Sequence, residues 1–120
     1  MHHGVEGEIR PSARLDAENA AAVAATLHAL ASRGRLLILA WLRHGPMSVT
    51  PLAEATGMKQ PVVSAHLGLL RGAGMVTSTR YGRKVIYSLT DDQVVHFLDD
   101  VVCYTEHVQL NVASRPGVAE

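Results

Sequence analysis

Side chains that bind metal ions recur along the last third of the chain, at His96, Cys103 and His107. If this segment is helical, at about 100° per residue, these side chains share one arc of about 100°. The arc also holds Gln93, Asp100 and Tyr104, opposite an apolar stripe of Val94, Phe97, Leu98, Val101 and Val108. Imidazole and thiolate are ligands that suit nickel, cobalt, zinc and copper. The pattern predicts a metal-binding face, with solvated histidines and a small apolar cysteine as the simpler alternative.

The first three residues, Met1-His2-His3, offer a second source of ligands. Because the side chain of His2 is large, we expect the initiator methionine to be retained, which leaves His3 third behind a free amine. The amine, two deprotonated backbone nitrogens and the His3 imidazole form a square-planar set that suits Cu(II) and low-spin Ni(II). A histidine-rich arm that holds no metal is the alternative.

A different chemistry is indicated between Lys59 and Leu89. Apolar residues there first recur at helical spacing, and Gly72 and Gly74 end this helix. Two short stretches around a Tyr81-Gly82-Arg83 turn then predict a hairpin. A polar-faced helix followed by a basic hairpin is typical of a winged helix-turn-helix, which reads the DNA major groove and contacts phosphate with its wing. The predicted DNA-binding residues are Lys59, Gln60, Ser64, Ala65, His66 and Arg71 on the helix, and Arg80, Arg83 and Lys84 on the wing.

The net charge of zero conceals an uneven distribution along the chain. Residues 33–84 carry eight basic side chains against Glu54 alone, a balance of +7. Residues 91–120 carry six acidic side chains against Arg115, a balance of −5, and residues 1–32 contribute −2. The cationic block coincides with the predicted helix and wing, so it favours contact with a polyanion over a merely solvated face.

Length and composition indicate one small domain. A chain of 120 residues buries only about two-thirds of its unfolded surface, so dimerisation would add useful burial. No apolar run approaches the roughly 20 residues that cross a bilayer, and the N-terminus lacks an export signal, so a cytoplasmic location without membrane contact is expected. Cys103 is the only cysteine, which excludes an internal disulfide and a cysteine-cluster zinc site.

The expected fold is mainly α with a β-hairpin wing. The predicted order is a helix over 17–31 capped by Asp16, a buried helix over 35–43, a short helix over 51–55, the recognition helix, strands over 75–79 and 85–89, and a last helix from the N-cap Thr90 to about Leu110. Residues 1–15 are predicted to be a flexible arm, residues 16–110 the winged helix-turn-helix domain and residues 111–120 a flexible tail.

Four motifs occur in order at fixed spacing. They are Arg35-Leu36-x-Ile38-Leu39-x-x-Leu42, Leu52-Ala53, Val63-Ser64-x-His66-Leu67-x-x-Leu70-Arg71-x-x-Gly74 and Gly82-Arg83-x-x-x-Tyr87-x-Leu89. Together they resemble the ArsR/SmtB family of winged-helix repressors, over about residues 20–108. The resemblance implies a homodimer joined through its N- and C-terminal helices, an operator that is an imperfect inverted repeat, and release from that operator when metal binds.

The resemblance also implies a metal site on the last helix, made of Asp-x-His and His-x-x-His halves from opposite subunits. This chain reads Asp91-x-Gln93 and Tyr104-x-x-His107, so Asp91 and His107 match the pattern while two ligands are replaced. In such an antiparallel helix pair His96 would face the partner's Cys103, which allows the site to be relocated.

The N-terminal residues and the Thr105-Glu106-His107 sequence are similar to those of nickel and cobalt sensors within this family. That similarity implies that the N-terminal amine, with His2 or His3, completes an octahedral site. The predicted metal ligands are therefore His2, His3, Asp91, His96, Cys103 and His107. Ni(II) or Co(II) is the favoured ion, and Zn(II) or Cu(II) is the alternative.

Other functional classes remain to be weighed. The lost ligands leave open a metal-independent regulator, or an activator, that is controlled by a partner protein or by oxidation of Cys103. An enzyme has little support, because the sequence displays neither a nucleophile with an adjacent base nor a phosphate-binding glycine loop.

Overall fold

The computed structural model describes residues 14–114. Along them lie α1 (Ala20–Leu30), α2 (Arg33–Leu42), α3 (Val49–Thr56), α4 (Gln60–Gly72), β1 (Val76–Tyr81), β2 (Lys84–Leu89) and α5 (Asp92–Ser114). The two strands form an antiparallel hairpin. The expected fold class, mainly α with a β-hairpin wing, is confirmed.

Local interactions explain where the first helices begin and end. The Asp16 carboxylate accepts hydrogen bonds from the amides of Glu18 and Asn19, so it caps a turn ahead of α1, which begins three residues later than predicted. The Ser32 hydroxyl accepts from the amide of Arg35 and caps α2. Gly57, at φ 75°, adopts the left-handed conformation that ends α3.

The core lies where α2, α3 and α4 meet. Ile38 and Leu39 of α2, Leu52 of α3, and Val63 and Leu67 of α4 are completely inaccessible to solvent. Full burial of an aliphatic side chain contributes about 1.5–3 kcal/mol. This packing fixes the orientation of α4, because its apolar stripe leaves the other side of the helix facing outward.

The hairpin is joined to the helical part of the domain at its base. Its register pairs Val76 with Leu89 and Tyr81 with Lys84, around a turn in which Gly82 has a φ of 62°. The backbones of Met47 and Tyr87 exchange two hydrogen bonds of 2.9 and 2.8 Å, which attach β2 to the segment between α2 and α3. The base of the wing is thereby held on both sides, by β1 and by this segment.

The start and end of α5 differ from the prediction. Thr90 is not its N-cap, because the Thr90 hydroxyl donates to the carbonyl of Gly74 at 2.7 Å. The Asp91 carboxylate accepts instead from the amide of Gln93 at 2.9 Å. The helix continues to Ser114 rather than to about Leu110. Within residues 14–114 no single helix has the length and apolar character to cross a bilayer, and α1 with α2 meets that test only as a pair bent by 82°.

Candidate nucleic-acid interface and metal-ligand residues

The outward side of α4 carries most of the residues predicted to contact DNA. Four of these residues are exposed: Lys59, Gln60, Ser64 and Ala65. Val63, which lies between them in the sequence, is buried in the core. Gln60 and Ser64 are hydrogen-bonding groups one helical turn apart, a spacing that suits base edges in a major groove. The helix therefore presents a polar surface from a rigidly packed element.

The wing adds cations beside this surface. Ser64, Arg83 and Lys84 line one open hollow, together with Ser48 and Thr50 at the start of α3. Hydroxyl groups combined with two cationic side chains suit a phosphate oxygen. The structure thus brings the predicted helix residue Ser64 to the predicted wing residues Arg83 and Lys84.

Two other predicted DNA contacts are engaged within the protein. The Arg71 guanidinium donates to the hydroxyl of Ser78 at 3.1 Å, which ties the end of α4 to β1. The Arg80 guanidinium donates to the carbonyl of Gly82 at 3.2 Å, inside the wing turn. Both side chains are exposed, and their charge adds to that of the hollow.

His66 departs from the sequence-based placement on the DNA-facing surface. Its ring is half-buried against α2, where Nδ1 lies 3.4 Å from a guanidinium nitrogen of Arg35. Partial burial, and then the Arg35 charge, lower the pKa of His66 below its ordinary value. The periodicity of α4 placed His66 among polar residues and gave no signal of this long-range partner.

The predicted ligands on α5 lie on its solvent-exposed surface. Asp91, His96, Cys103 and His107 are all exposed, and Cys103 is a free thiol. The Nε2 atom of His107 lies 2.8 Å from the side-chain amide nitrogen of Asn111. Over residues 14–114 no three His, Cys, Asp or Glu side chains converge as a metal site would require. His2 and His3 fall outside the described residues.

The side chains of α5 nevertheless include ligand types that suit nickel, cobalt and zinc. Cys103 and His107 are four residues apart, so they neighbour each other on one helical surface. A thiolate and an imidazole at this spacing are two ligands for nickel, cobalt or zinc, and two or more further donors must come from elsewhere. The described residues of one subunit bring too few donors together to complete a metal site.

An apolar groove runs between α2 and α5 on another side of the molecule. Its lining includes Leu36, Leu37, Ala40, Leu98, Val101 and Val102. Arg43 and Asp99 also line it and form a salt bridge of 2.7 Å, and the hydrogen bond from Arg43 is the largest effect that lowers the pKa of Asp99. Sequence reasoning missed this groove because the two helices are far apart along the chain.

Comparison with known proteins identifies the family of this fold. Residues 32–78 match the model of the bacterial regulatory protein arsR family. The regulator NmtR of Mycobacterium tuberculosis is 51% identical over 115 residues, which cover 96% of either chain. The chain belongs to the arsR family. The repressor SmtB of the same organism is 41% identical over 78 residues, which are 65% of this chain and 58% of SmtB.

Solved structures support the same assignment for this arsR-family chain. The solution structure of apo-NmtR is 50% identical, covers 99% of this chain and 100% of its own, and superposes with a TM-score of 0.68. A homodimeric winged helix-turn-helix domain from Mycobacterium bovis is 32% identical, covers 78% and 90%, and has a TM-score of 0.68. The family consists of DNA-binding transcriptional regulators, so the chain is a regulator and not an enzyme.

Proposed function

We propose that this chain is a homodimeric repressor that leaves its operator when Ni(II) or Co(II) binds. The observation that carries the proposal is the pairing of two surfaces in one small fold. One is the exposed polar side of α4 beside the cationic wing, and the other is the exposed histidine and cysteine side of α5. As a regulator of bacterial DNA, the chain is proposed to act in the cytoplasm.

DNA recognition is proposed to divide between the helix and the wing. Gln60 and Ser64 would contact base edges, while Arg83 and Lys84 would hold phosphate beside the hollow at the start of α3. Because a two-fold dimer presents two copies of α4, the operator should be an inverted repeat with half-sites about one helical turn apart.

Replacing both Arg83 and Lys84 with alanine should reduce the salt dependence of operator binding. Each lost phosphate contact lowers the slope of log affinity against log salt concentration by about 0.9, so the slope should fall by about 1.8. Fluorescence anisotropy across a salt series measures it. Arg14→Ala, which removes an exposed cation ahead of α1, should leave the slope unchanged. An equal slope for the double variant and the unmodified protein would refute the assigned wing contacts.

Homodimerisation is proposed to cover apolar surface that one subunit leaves exposed. Leu27 on α1 is 51% exposed, and Val102 and Leu110 on α5 are 54% and 69% exposed. The groove between α2 and α5 continues this surface. Exposed apolar surface of this extent marks an interaction site, and a second copy with the same exposed helices is a self-complementary partner.

A metal site is proposed to form from several parts of the dimer. Asp91, His96, Cys103 and His107 are the candidate ligands on α5, and His2 and His3 are candidates from the N-terminus. Nickel or cobalt bound at this site would join the ligands on α5 to those of the N-terminus. The Cys103 thiol must lose its proton to bind metal, and the His107 ring must give up its contact with Asn111 if it binds through Nε2.

The proposal is tested by measuring operator affinity at constant salt with and without nickel, cobalt, zinc and copper. We expect nickel or cobalt to lower the affinity at least about tenfold, a coupling of about 1.4 kcal/mol. His107→Ala should abolish that shift, since it removes a proposed ligand. His44→Ala, an exposed histidine at the end of α2, should retain it. Affinity that no metal changes would refute metal sensing.

A metal-independent regulator is the second candidate, because Cys103 is an exposed free thiol and Gln93 and Tyr104 replace two ligands of the family pattern. Peroxide oxidises an exposed thiolate to sulfenic acid. Under this candidate, peroxide would change operator affinity for the unmodified protein and not for Cys103→Ser, while metals would have no effect. Control of this regulator, whether repressor or activator, by a partner protein would instead leave both treatments without effect.

A further inference from the structure

The Arg35 side chain joins three elements of the fold. Its Nε donates to the carbonyl of Ala29 at 2.6 Å, and one terminal nitrogen donates to the carbonyl of His28 at 3.1 Å. The other terminal nitrogen lies 3.4 Å from Nδ1 of His66. Arg35 itself is in α2, its two carbonyl partners are at the end of α1, and His66 is in α4. One half-buried guanidinium therefore contacts both the first helix and the recognition helix.

The chemistry of these partners suits arginine in particular. The last carbonyls of a helix lack the usual amide partner within the helix, so the end of α1 offers acceptors to an external donor, and the His28 carbonyl accepts from Arg35 in addition to the amide of Ala31. A guanidinium is planar, always charged and has five N–H donors in a fixed fork, so it can bind both carbonyls and still reach the ring. A lysine ammonium is a compact point charge and lacks the planar fork of donors with which arginine binds these partners.

The contact also specifies the state of His66. Because the guanidinium only donates, a hydrogen bond here requires Nδ1 of His66 to accept, which corresponds to the neutral ring with its proton on Nε2. The positive charge of Arg35 disfavours a second proton, in agreement with the lowered pKa of this ring. Over the described residues, Arg35 is the charged group that acts on His66.

Gly34 allows the ring to approach this closely. A Cβ atom at position 34 would lie 2.8 Å from Nε2 of His66 and 2.9 Å from the sulfur of Met58. Any other residue would therefore force the ring or Met58 to move. Sequence and packing thus both favour a close contact between α2 and the middle of α4.

We propose that Arg35 is a positioning residue that couples the end of α1 to the recognition helix, through His66, and thereby sets the DNA affinity of α4. The inference rests on the proposed role of α4 in DNA binding. The α1 helix is one of the helices proposed to dimerise. Arg35 would therefore couple the position of α1 to the position of α4. Arg35 acts here without touching DNA, unlike the wing cations.

The contact is tested first without DNA, by NMR titration of the histidine rings. Arg35→Met should raise the pKa of His66, because it removes the positive charge and leaves the burial. In the unmodified protein the ring nitrogen shifts should show the proton on Nε2, and the variant should lose this preference. The resonances of His44, at the far end of α2, serve as the internal reference. An unchanged His66 titration would overturn the inference.

DNA binding provides the second test. Arg35→Met should lower operator affinity about tenfold, within the usual range for coupled sites, while the salt slope stays constant. A slope lower by about 0.9 would identify a phosphate contact instead and overturn the positioning role. If the unmodified protein bound no DNA, the proposed function would fail, while the NMR test would still decide the Arg35 contact.

Variants at His66 keep the test valid if Arg35→Met does not fold. His66→Leu removes the acceptor and should lower affinity to a similar extent, whereas His66→Gln retains an acceptor oxygen and should stay close to the unmodified protein. Where Arg35→Met folds, its double variant with His66→Leu should lose no more affinity than Arg35→Met alone, since both changes break the same contact between the two side chains. Additive losses would overturn the coupling.

Discussion

Val102→Glu is expected to convert the proposed dimer to monomers and to lower operator affinity by about a hundredfold or more. Val102 is 54% exposed on one subunit and lines the apolar groove between α2 and α5. A carboxylate covered by a second subunit without a partner loses its hydration at a high cost in free energy. A monomer then binds one half-site with one copy of α4, and it loses the combined affinity of two.

Sedimentation velocity measures the oligomeric state, and fluorescence anisotropy at the same salt concentration measures operator affinity. Val102→Ala is the matched control, because it keeps the site apolar and should remain dimeric. Its operator affinity should be close to that of the unmodified protein. A Val102→Glu protein that sediments as a dimer and binds normally would show that this groove lies outside the dimer interface.

Leu67→Ala is expected to cause a large loss of stability. Leu67 has no exposed surface and packs in the core shared by α2, α3 and α4. Removing a buried leucine side chain costs about 2–5 kcal/mol, because apolar contacts are lost and a cavity remains. For a domain of this size, that cost lowers the melting temperature by about 10 °C or more.

Thermal unfolding followed by circular dichroism checks this, at one protein concentration because dimerisation makes the melting temperature concentration-dependent. Leu69→Ala is the control from the same helix. Its side chain is 39% exposed, so its cost should be below about 1 kcal/mol. Equal melting temperatures for the two variants would contradict the assigned inward side of α4.

The parts of the fold that depend on local signals were predicted well. The apolar period of α4 and the turn at Gly82 are encoded within a few residues, and the helix and both strands appear within about two residues of the predicted bounds. The α3 helix was predicted too short, because propensity does not indicate how far packing extends a helix. The predictions of α4 and of the hairpin hold because tertiary packing agrees with the local pattern.

The remainder depends on contacts between distant residues. Thr90 was a good N-cap by type, but its hydroxyl donates a hydrogen bond to the carbonyl of Gly74, and Asp91 caps the helix instead. His66 appeared to face DNA because the partner that holds it, Arg35, is 31 positions away. The metal ligands are the extreme case, since their proposed site needs a second subunit. The sequence indicates which side chains can bind metal, but it does not indicate where these side chains come together.

The paired backbone hydrogen bonds between Met47 and Tyr87 allow the residues of the wing tip to change during evolution. They join the foot of the wing to the preceding segment through main-chain atoms, and Val76, Tyr87 and Leu89 pack at or against the core, so the anchor does not depend on which side chains the tip carries. Exposed tip positions such as Arg83 and Lys84 pack into no part of the core. The tip can therefore accumulate substitutions that alter the proposed phosphate contacts of the wing while the fold is inherited intact. In this part of the molecule, the strength of the proposed phosphate contacts and the integrity of the fold can change separately.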